Sequence, residues 1–130
     1  MSDYKTLQAR LTNREVVLLD GAVGTQLQKM GVPMNNLAWA ATALQTHPYT
    51  VRLMHEHYIR AGVDIITVNS YSAARHNLVP LGLGEVTREL NLRAAVLAQE
   101  ARDRCAKERP VYIAGSVSNY GMRTGSETTA

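Results

Sequence analysis

Three short apolar runs divide the chain: residues 15–20 (EVVLLD), 63–68 (VDIITV) and 111–114 (VYIA). Each is too short for a helix of ordinary length, and two are rich in β-branched residues, so all three are predicted as strands. The unbroken V-V-L-L of the first further predicts burial on both faces, as in a parallel sheet covered by helices. Between the runs the apolar period lengthens to that of a helix. Residues 3–10 predict a short amphipathic helix capped by Ser2 or Asp3, with Leu7 and Leu11 on one face as a lid under the sheet. Residues 25–30 predict a second, stopped by Gly31 and Pro33, and the alanine-rich stretch 37–45 around Trp39 a third, with the indole as a packing group. Pro48 opens a longer helix that ends before Gly62. Residues 77–84 (NLVPLGLG) read as a loop. Residues 85–107 form the longest predicted helix, with Leu90, Ala94, Leu97 and Ala101 on one face and Glu89/Arg93 and Glu100/Arg104 as flanking ion pairs.

Strand starts at Val16, Asp64 and Val111 are nearly evenly spaced, and each interval holds a helix. Repeating strand-loop-helix units predict an α/β fold with right-handed crossovers between parallel strands. Polarity collects where each strand ends: Asp20-Gly21, Asn69-Ser70 and Gly115-Ser116. Ligands of parallel α/β folds bind at those ends.

The first tip carries the strongest candidate. Asp20 is followed by Gly21, Ala22, Val23, Gly24 and Thr25. An acid beside the free amides of a helix start suits the ammonium and carboxylate of an amino acid. The plain alternative is that Asp20 forms the turn, as aspartate before glycine commonly does. The glycine pattern lacks the G-x-G-x-x-G of dinucleotide sites. At the second tip Asn69, Ser70 and Tyr71 either contact a ligand or only close the strand end. Ser116 and Asn119 are weaker candidates at the third, where Gly115 is read as a point of close backbone approach.

DGAVGTQLQ at 20–28, HEHYIRAGVDIITVNSYSA at 55–73 and AGSVSNYG at 114–121 together resemble the homocysteine S-methyltransferase family. The resemblance extends from about residue 15 to residue 121. It implies the first three strands and helices of a zinc-dependent (β/α)8 TIM barrel. Such a barrel typically takes about 250 residues, so the 130 present are expected to form a single domain that is the N-terminal portion of one. Residues 1–14 would be an N-terminal helix, 15–121 the β/α units, and 122–130 a polar tail. The implied reaction is methyl transfer to the homocysteine sulfur, giving methionine. The implied donors are S-methylmethionine or S-adenosylmethionine, with betaine and methylfolate used elsewhere in the family. Asp20, Gly21, Val23, Gly24, Thr25, Asn69 and Ser70 are the implied substrate-binding residues.

Zinc in the family sits on three cysteines, one from a strand past the middle of the barrel and an adjacent pair near its end. Cys105 is the only cysteine here and matches none of them. A second acid of the family, on a later strand, is also unmatched. Catalytic and metal-binding residues are therefore expected to be absent, and the chain alone inactive. His55 and His57, two apart on a helix, point in nearly opposite directions and are read as one packing and one surface histidine. His47 and His76 are isolated. Cys105, on a helix, is read as a small buried hydrophobe.

Composition narrows the classes further. The hydrophobic fraction is 45% and the charged fraction 19%, ordinary for a globular domain. The net charge is +3, but the 14 lysines and arginines are scattered, with few aromatics among them, which argues against nucleic-acid binding. A single cysteine forms no internal disulfide. The N-terminus lacks a signal-peptide core, and no run is long enough to span a bilayer, so a cytoplasmic protein is expected. Open sheet edges predict self-association. A different class remains beside the enzyme: a non-catalytic chain that binds an amino acid or pairs with another polypeptide.

Overall fold

The structure is a computed structural model and describes residues 3–119. The expected Ser2 cap, residues 120–121 of the third motif and the tail at 122–130 lie outside the described residues. Helix α1 (Asp3–Thr12) leads into the exposed segment 15–19. Helix α2 (Val23–Lys29) begins two residues earlier than expected and ends in Gly31 at φ +90°.

The helix expected over 37–45 is reduced to α3 (Ala43–Thr46). Its first half folds instead into turns, with an antiparallel bridge between Asn35 and Trp39. Local alanine propensity loses to side-chain bonds. Asn35 Oδ1 accepts from the amides of Leu37 and Ala38 at 2.7 and 2.9 Å. Ser72 Oγ donates to the Ala38 carbonyl at 2.6 Å and Asn69 Nδ2 to that of Ala40 at 3.1 Å.

Helix α4 (Pro48–Ala61) has the expected bounds, with Pro48 in its first turn and Gly62 at φ +104° after its end. Strand β1 (Ile65–Thr67) follows. The loop expected at 77–84 overlaps a short helix α5 (Arg75–Leu78) and 3-10 turns at Val79–Leu81 and Gly84–Val86. Helix α6 (Thr87–Cys105) then leads to strand β2 (Tyr112–Ala114). Glu89 and Arg93 pair at 2.8 Å as expected, whereas Glu100 faces Arg52 at 3.5 Å rather than Arg104. Among the described residues no helix is long and apolar enough to cross a membrane.

Strands β1 and β2 pair in parallel, Ile65 opposite Tyr112, Ile66 opposite Ile113 and Thr67 opposite Ala114. The expectation of three strands is not met among the described residues, whose sheet has two. Residues 18–20 nevertheless run beside β1. The Leu18 carbonyl accepts from the amides of Asp64 and Ile65 at 2.8 and 3.0 Å, and the Asp20 amide donates to the Ile65 carbonyl at 2.9 Å. One parallel bridge results, Leu19 to Ile65. The predicted burial on both faces also fails, since Val16 is 79% and Leu19 60% exposed. No further described strand is bridged to this segment, and Val16, Leu18 and Leu19 reach solvent.

Asp64 fastens the segment at its lower end. Its Oδ2 accepts from the Leu18 amide at 2.9 Å and its Oδ1 from Arg10 at 3.1 Å. The Leu18 amide, and then Arg10, hold the Asp64 carboxyl below the usual carboxylate range. Through Arg10, α1 is tied to the N-terminal end of β1, where the sequence placed its lid.

The core lies on one face of the sheet. Ile66 is fully buried, as are Val51 and Met54 of α4 and Ala94, Ala98 and Ala101 of α6. Small residues along α6 let the two helices approach closely, and each large buried side chain contributes about 1.5–3 kcal/mol. His55 sits in this layer with no exposure and with neither ring nitrogen hydrogen-bonded. Burial lowers its pKa to about 4, so it is neutral. His57 is at the surface, and Cys105 is half-buried rather than buried. Below the sheet Arg109 donates to the carbonyls of Ile59 and Val63 at 2.6 and 2.7 Å, closing the C-terminal end of α4.

Candidate functional site

The C-terminal ends of segment 18–20, β1 and β2 open into one pocket of about 270 Å³. Asp20 lies at its floor, 9% exposed. Thr67, the last residue of β1, supplies both of its partners. The Thr67 amide donates to Oδ2 and the Thr67 hydroxyl to Oδ1, each at 2.8 Å. Burial raises the Asp20 pKa, and the two Thr67 bonds oppose that rise. Each oxygen retains a second acceptor site, so the carboxylate can still receive a donor from the pocket. Among the described residues no lysine or arginine lines the pocket.

The turn after Asp20 is shaped by aromatic neighbours. Tyr58 of α4 donates its hydroxyl to the Ala22 carbonyl at 2.9 Å. Its pKa is raised by burial and by the charge of Asp20. A Cβ on Gly21 would lie 2.9 Å from that hydroxyl, and a Cβ on Gly24 would fall within the Trp39 indole edge. Both glycines therefore serve close approach by a ring. Helix α2 opens at Ala22 with no side-chain cap, leaving its first amides without a side-chain partner.

Of the residues singled out from the sequence, the structure brings Asp20, Gly21, Val23, Gly24 and Asn69 together as pocket lining. Thr25 is exposed and Ser70 half-buried, and neither lines the pocket. Ser70 Oγ donates to the Ser116 carbonyl at 2.8 Å, joining the tips of β1 and β2. Asn69 lines the pocket while its amide nitrogen is committed to the Ala40 carbonyl. Tyr71 and Ser116, weaker candidates, are also in the lining.

Thr67 and Trp39 are the residues that sequence reasoning missed as pocket groups. Thr67 was hidden inside an apolar run, where its alternation with Ile65 was its only signal. Trp39 was read as helical packing. Its indole is 43% exposed at the pocket and its φ is +46°. That left-handed backbone costs an L-residue about 1–2 kcal/mol, so surrounding structure must enforce it.

The family resemblance implies zinc, and the described residues do not fit it. No group of three histidine, cysteine, aspartate or glutamate side chains among them could hold a metal ion. Zinc therefore takes no part in the chemistry derived for these residues.

Comparison with known proteins gives a consistent result. The sequence model described as Homocysteine S-methyltransferase matches residues 17–128. A selenocysteine methyltransferase from Astragalus bisulcatus is 36% identical, the match covering 85% of this chain and 38% of that protein. A homocysteine S-methyltransferase from Escherichia coli (strain K12) is 34% identical, over 98% of this chain and 43% of its own length. The crystal structure of the metallated homocysteine methyltransferase MmuM from Escherichia coli superposes with a TM-score of 0.74 at 31% identity, covering 85% of this chain and 41% of that one. The chain thus spans about two fifths of the length of these relatives.

Proposed function

The chain belongs to the homocysteine S-methyltransferase family, and on that premise we propose that its strand-tip pocket holds the amino-acid end of homocysteine during methyl transfer to sulfur. The observation that carries this reading is Asp20, nearly buried and aligned by both donors of Thr67 at the pocket floor. A fixed carboxylate in a desolvated site favours an ammonium group. The uncapped opening of α2 beside it supports a place for the substrate carboxylate, at Gly21, Val23 and Gly24, with Thr25 outside the lining. Asn69 and Ser70 contribute by holding the rim.

In the proposed reaction the homocysteine sulfur bonds to the methyl carbon of a sulfonium donor as that carbon's bond to the sulfonium sulfur breaks. The electron pair stays with the departing thioether, and the thiol proton passes to solvent. S-methylmethionine and S-adenosylmethionine are the proposed donors. The described residues bind and orient the acceptor and supply no group to activate its sulfur. Zinc belongs to the family's complete domain, and its ligands are unmatched here. Homocysteine and selenocysteine share the head group that this cradle receives, so Asp20 does not discriminate between them. The strand order and spacing support the first three strand positions of a (β/α)8 barrel, and methionine biosynthesis in the cytoplasm is the proposed setting.

Calorimetric titration with L-homocysteine tests the reading. Replacing a charged acceptor removes about 1.5–3 kcal/mol, so Asp20→Asn is expected to weaken binding roughly 10- to 100-fold. Equal affinity in variant and parent removes Asp20 from the site.

The exposure of Val16, Leu18, Leu19 and Val117 favours a second reading. In it the chain is non-catalytic by itself and assembles with another polypeptide along these flanks. Methyl transfer that appears only when a second polypeptide is added supports assembly, whereas turnover by the chain alone excludes it.

A further inference from the structure

We infer that Asn69 and Ser72 are positioning residues, clamping the Trp39 indole as a fixed wall of the pocket. Their hydrogen bonds take the carbonyls on either side of the tryptophan, Ser72 to Ala38 and Asn69 to Ala40. Both side chains are buried, at 2% and 5% exposure, as are Ala38 and Ala40. The clamp is itself braced. Asn77 Nδ2 donates to the Ser72 carbonyl at 3.3 Å, and Asn91 of α6 donates to the Ala73 carbonyl at 2.8 Å. The Asn35 backbone amide donates to the Trp39 carbonyl at 3.0 Å, completing the turn.

Between two pinned carbonyls the backbone at Trp39 has little freedom, and it is held in the left-handed region that a bulky residue otherwise avoids. The held conformation brings the indole edge against Gly24, at the start of α2 and across from the β1 tip. The loop leaving β1 thereby shapes the pocket through a residue some 30 positions earlier in the chain. A wall set before a ligand arrives lowers the ordering cost of binding. This deepens the amino-acid-binding reading of the pocket, on which its functional consequence rests.

Trp39 is the single tryptophan, so intrinsic fluorescence reports on it alone. Acrylamide quenching of the purified full chain, without ligand, is compared for the parent, Asn69→Ala and Ser72→Ala. Arg93→Ala, which loses a bond to the Leu44 carbonyl away from the pocket, serves as control. The two clamp variants are expected to show at least a two-fold rise in the quenching constant and a red-shifted emission, with Arg93→Ala at the parent value. Ser72→Thr, which keeps the hydroxyl, is expected to restore the parent signal. Parent-like quenching in both folded clamp variants overturns the inference. Should Ser72→Ala fail to fold, the near-isosteric pair Ser72→Thr and Ser72→Val decides: stronger quenching in Val supports the clamp, and equal quenching overturns it. Titration with L-homocysteine keeps the two readings apart. A chain that never binds homocysteine fails the reading of the pocket, while the clamp is still judged by quenching.

Discussion

The small sheet and the segment bridged to its edge are built from similar residues and have opposite fates. On one face Ile66 is sealed beneath α4 and α6, with Met54, Leu90 and the alanines of α6 around it. Along segment 15–19, Val16, Leu18 and Leu19 stand in solvent. Valines and leucines therefore do not by themselves make a core. What separates the two is that helices pack over Ile66, while no further described strand is bridged to segment 15–19. The site lies where the two regimes meet, its acid at the end of the bridged segment and fixed by Thr67 of β1.

Substitutions can break this comparison directly. The largest expected effect is on the sealed face, where Met54→Ala costs about 2–5 kcal/mol in urea denaturation. On the open side Leu18→Ala is expected to change stability by no more than about 0.5 kcal/mol. Similar losses from both would mean that the exposed run is covered in solution, by a second copy or another chain.

Next comes acid sensitivity confined to the sealed layer. The folded pKa of His55, about 4, lies below its ordinary value of 6.5. Between these values the unfolded chain binds the extra proton, so stability falls as pH drops from 6.5 toward 4, by about 3 kcal/mol in all, and is flat above. His55→Leu removes a buried group with no hydrogen-bond partner and is expected to flatten the profile without loss at neutral pH. An unchanged profile in that variant would assign the acid sensitivity elsewhere.

The smallest effect tests the seam. Asp64→Ala frees the Leu18 amide and leaves Arg10 paired with Glu15, at about 1 kcal/mol. Hydrogen exchange at the Leu18 amide is expected to accelerate more than at Ile66. Equal acceleration at both would show that the bridged segment and β1 open as one unit.

Much of the sealed half was legible in the sequence. Pro48 and Gly62 bound α4 because each acts through its own backbone, and the apolar stripe of α6 is periodic over many residues. The open half was less so. A V-V-L-L run reports that burial would be favourable, not that a neighbour is present to provide it. The turn at Trp39 differs from the expected helix because alanine propensity is local, whereas two of the bonds that override it come from Asn69 and Ser72, distant in sequence. At the site, Asp20 stood out as a charge ending an apolar run. Its partner Thr67 did not, because a threonine inside a β-branched run looks like strand.

Arg109 carries a consequence for how the protein is made. Its guanidinium is the group that takes up the carbonyls of Ile59 and Val63 at the end of α4. On a ribosome adding about 5–20 residues each second, roughly two to ten seconds separate synthesis of that helix end from synthesis of its latch. During that interval the turn between α4 and β1 is held by its own backbone bonds, Gly62 to Ile59 and Val63 to Tyr58, without the latch. Pausing upstream of codon 109 lengthens the exposure, and a silent change that speeds decoding there shortens it.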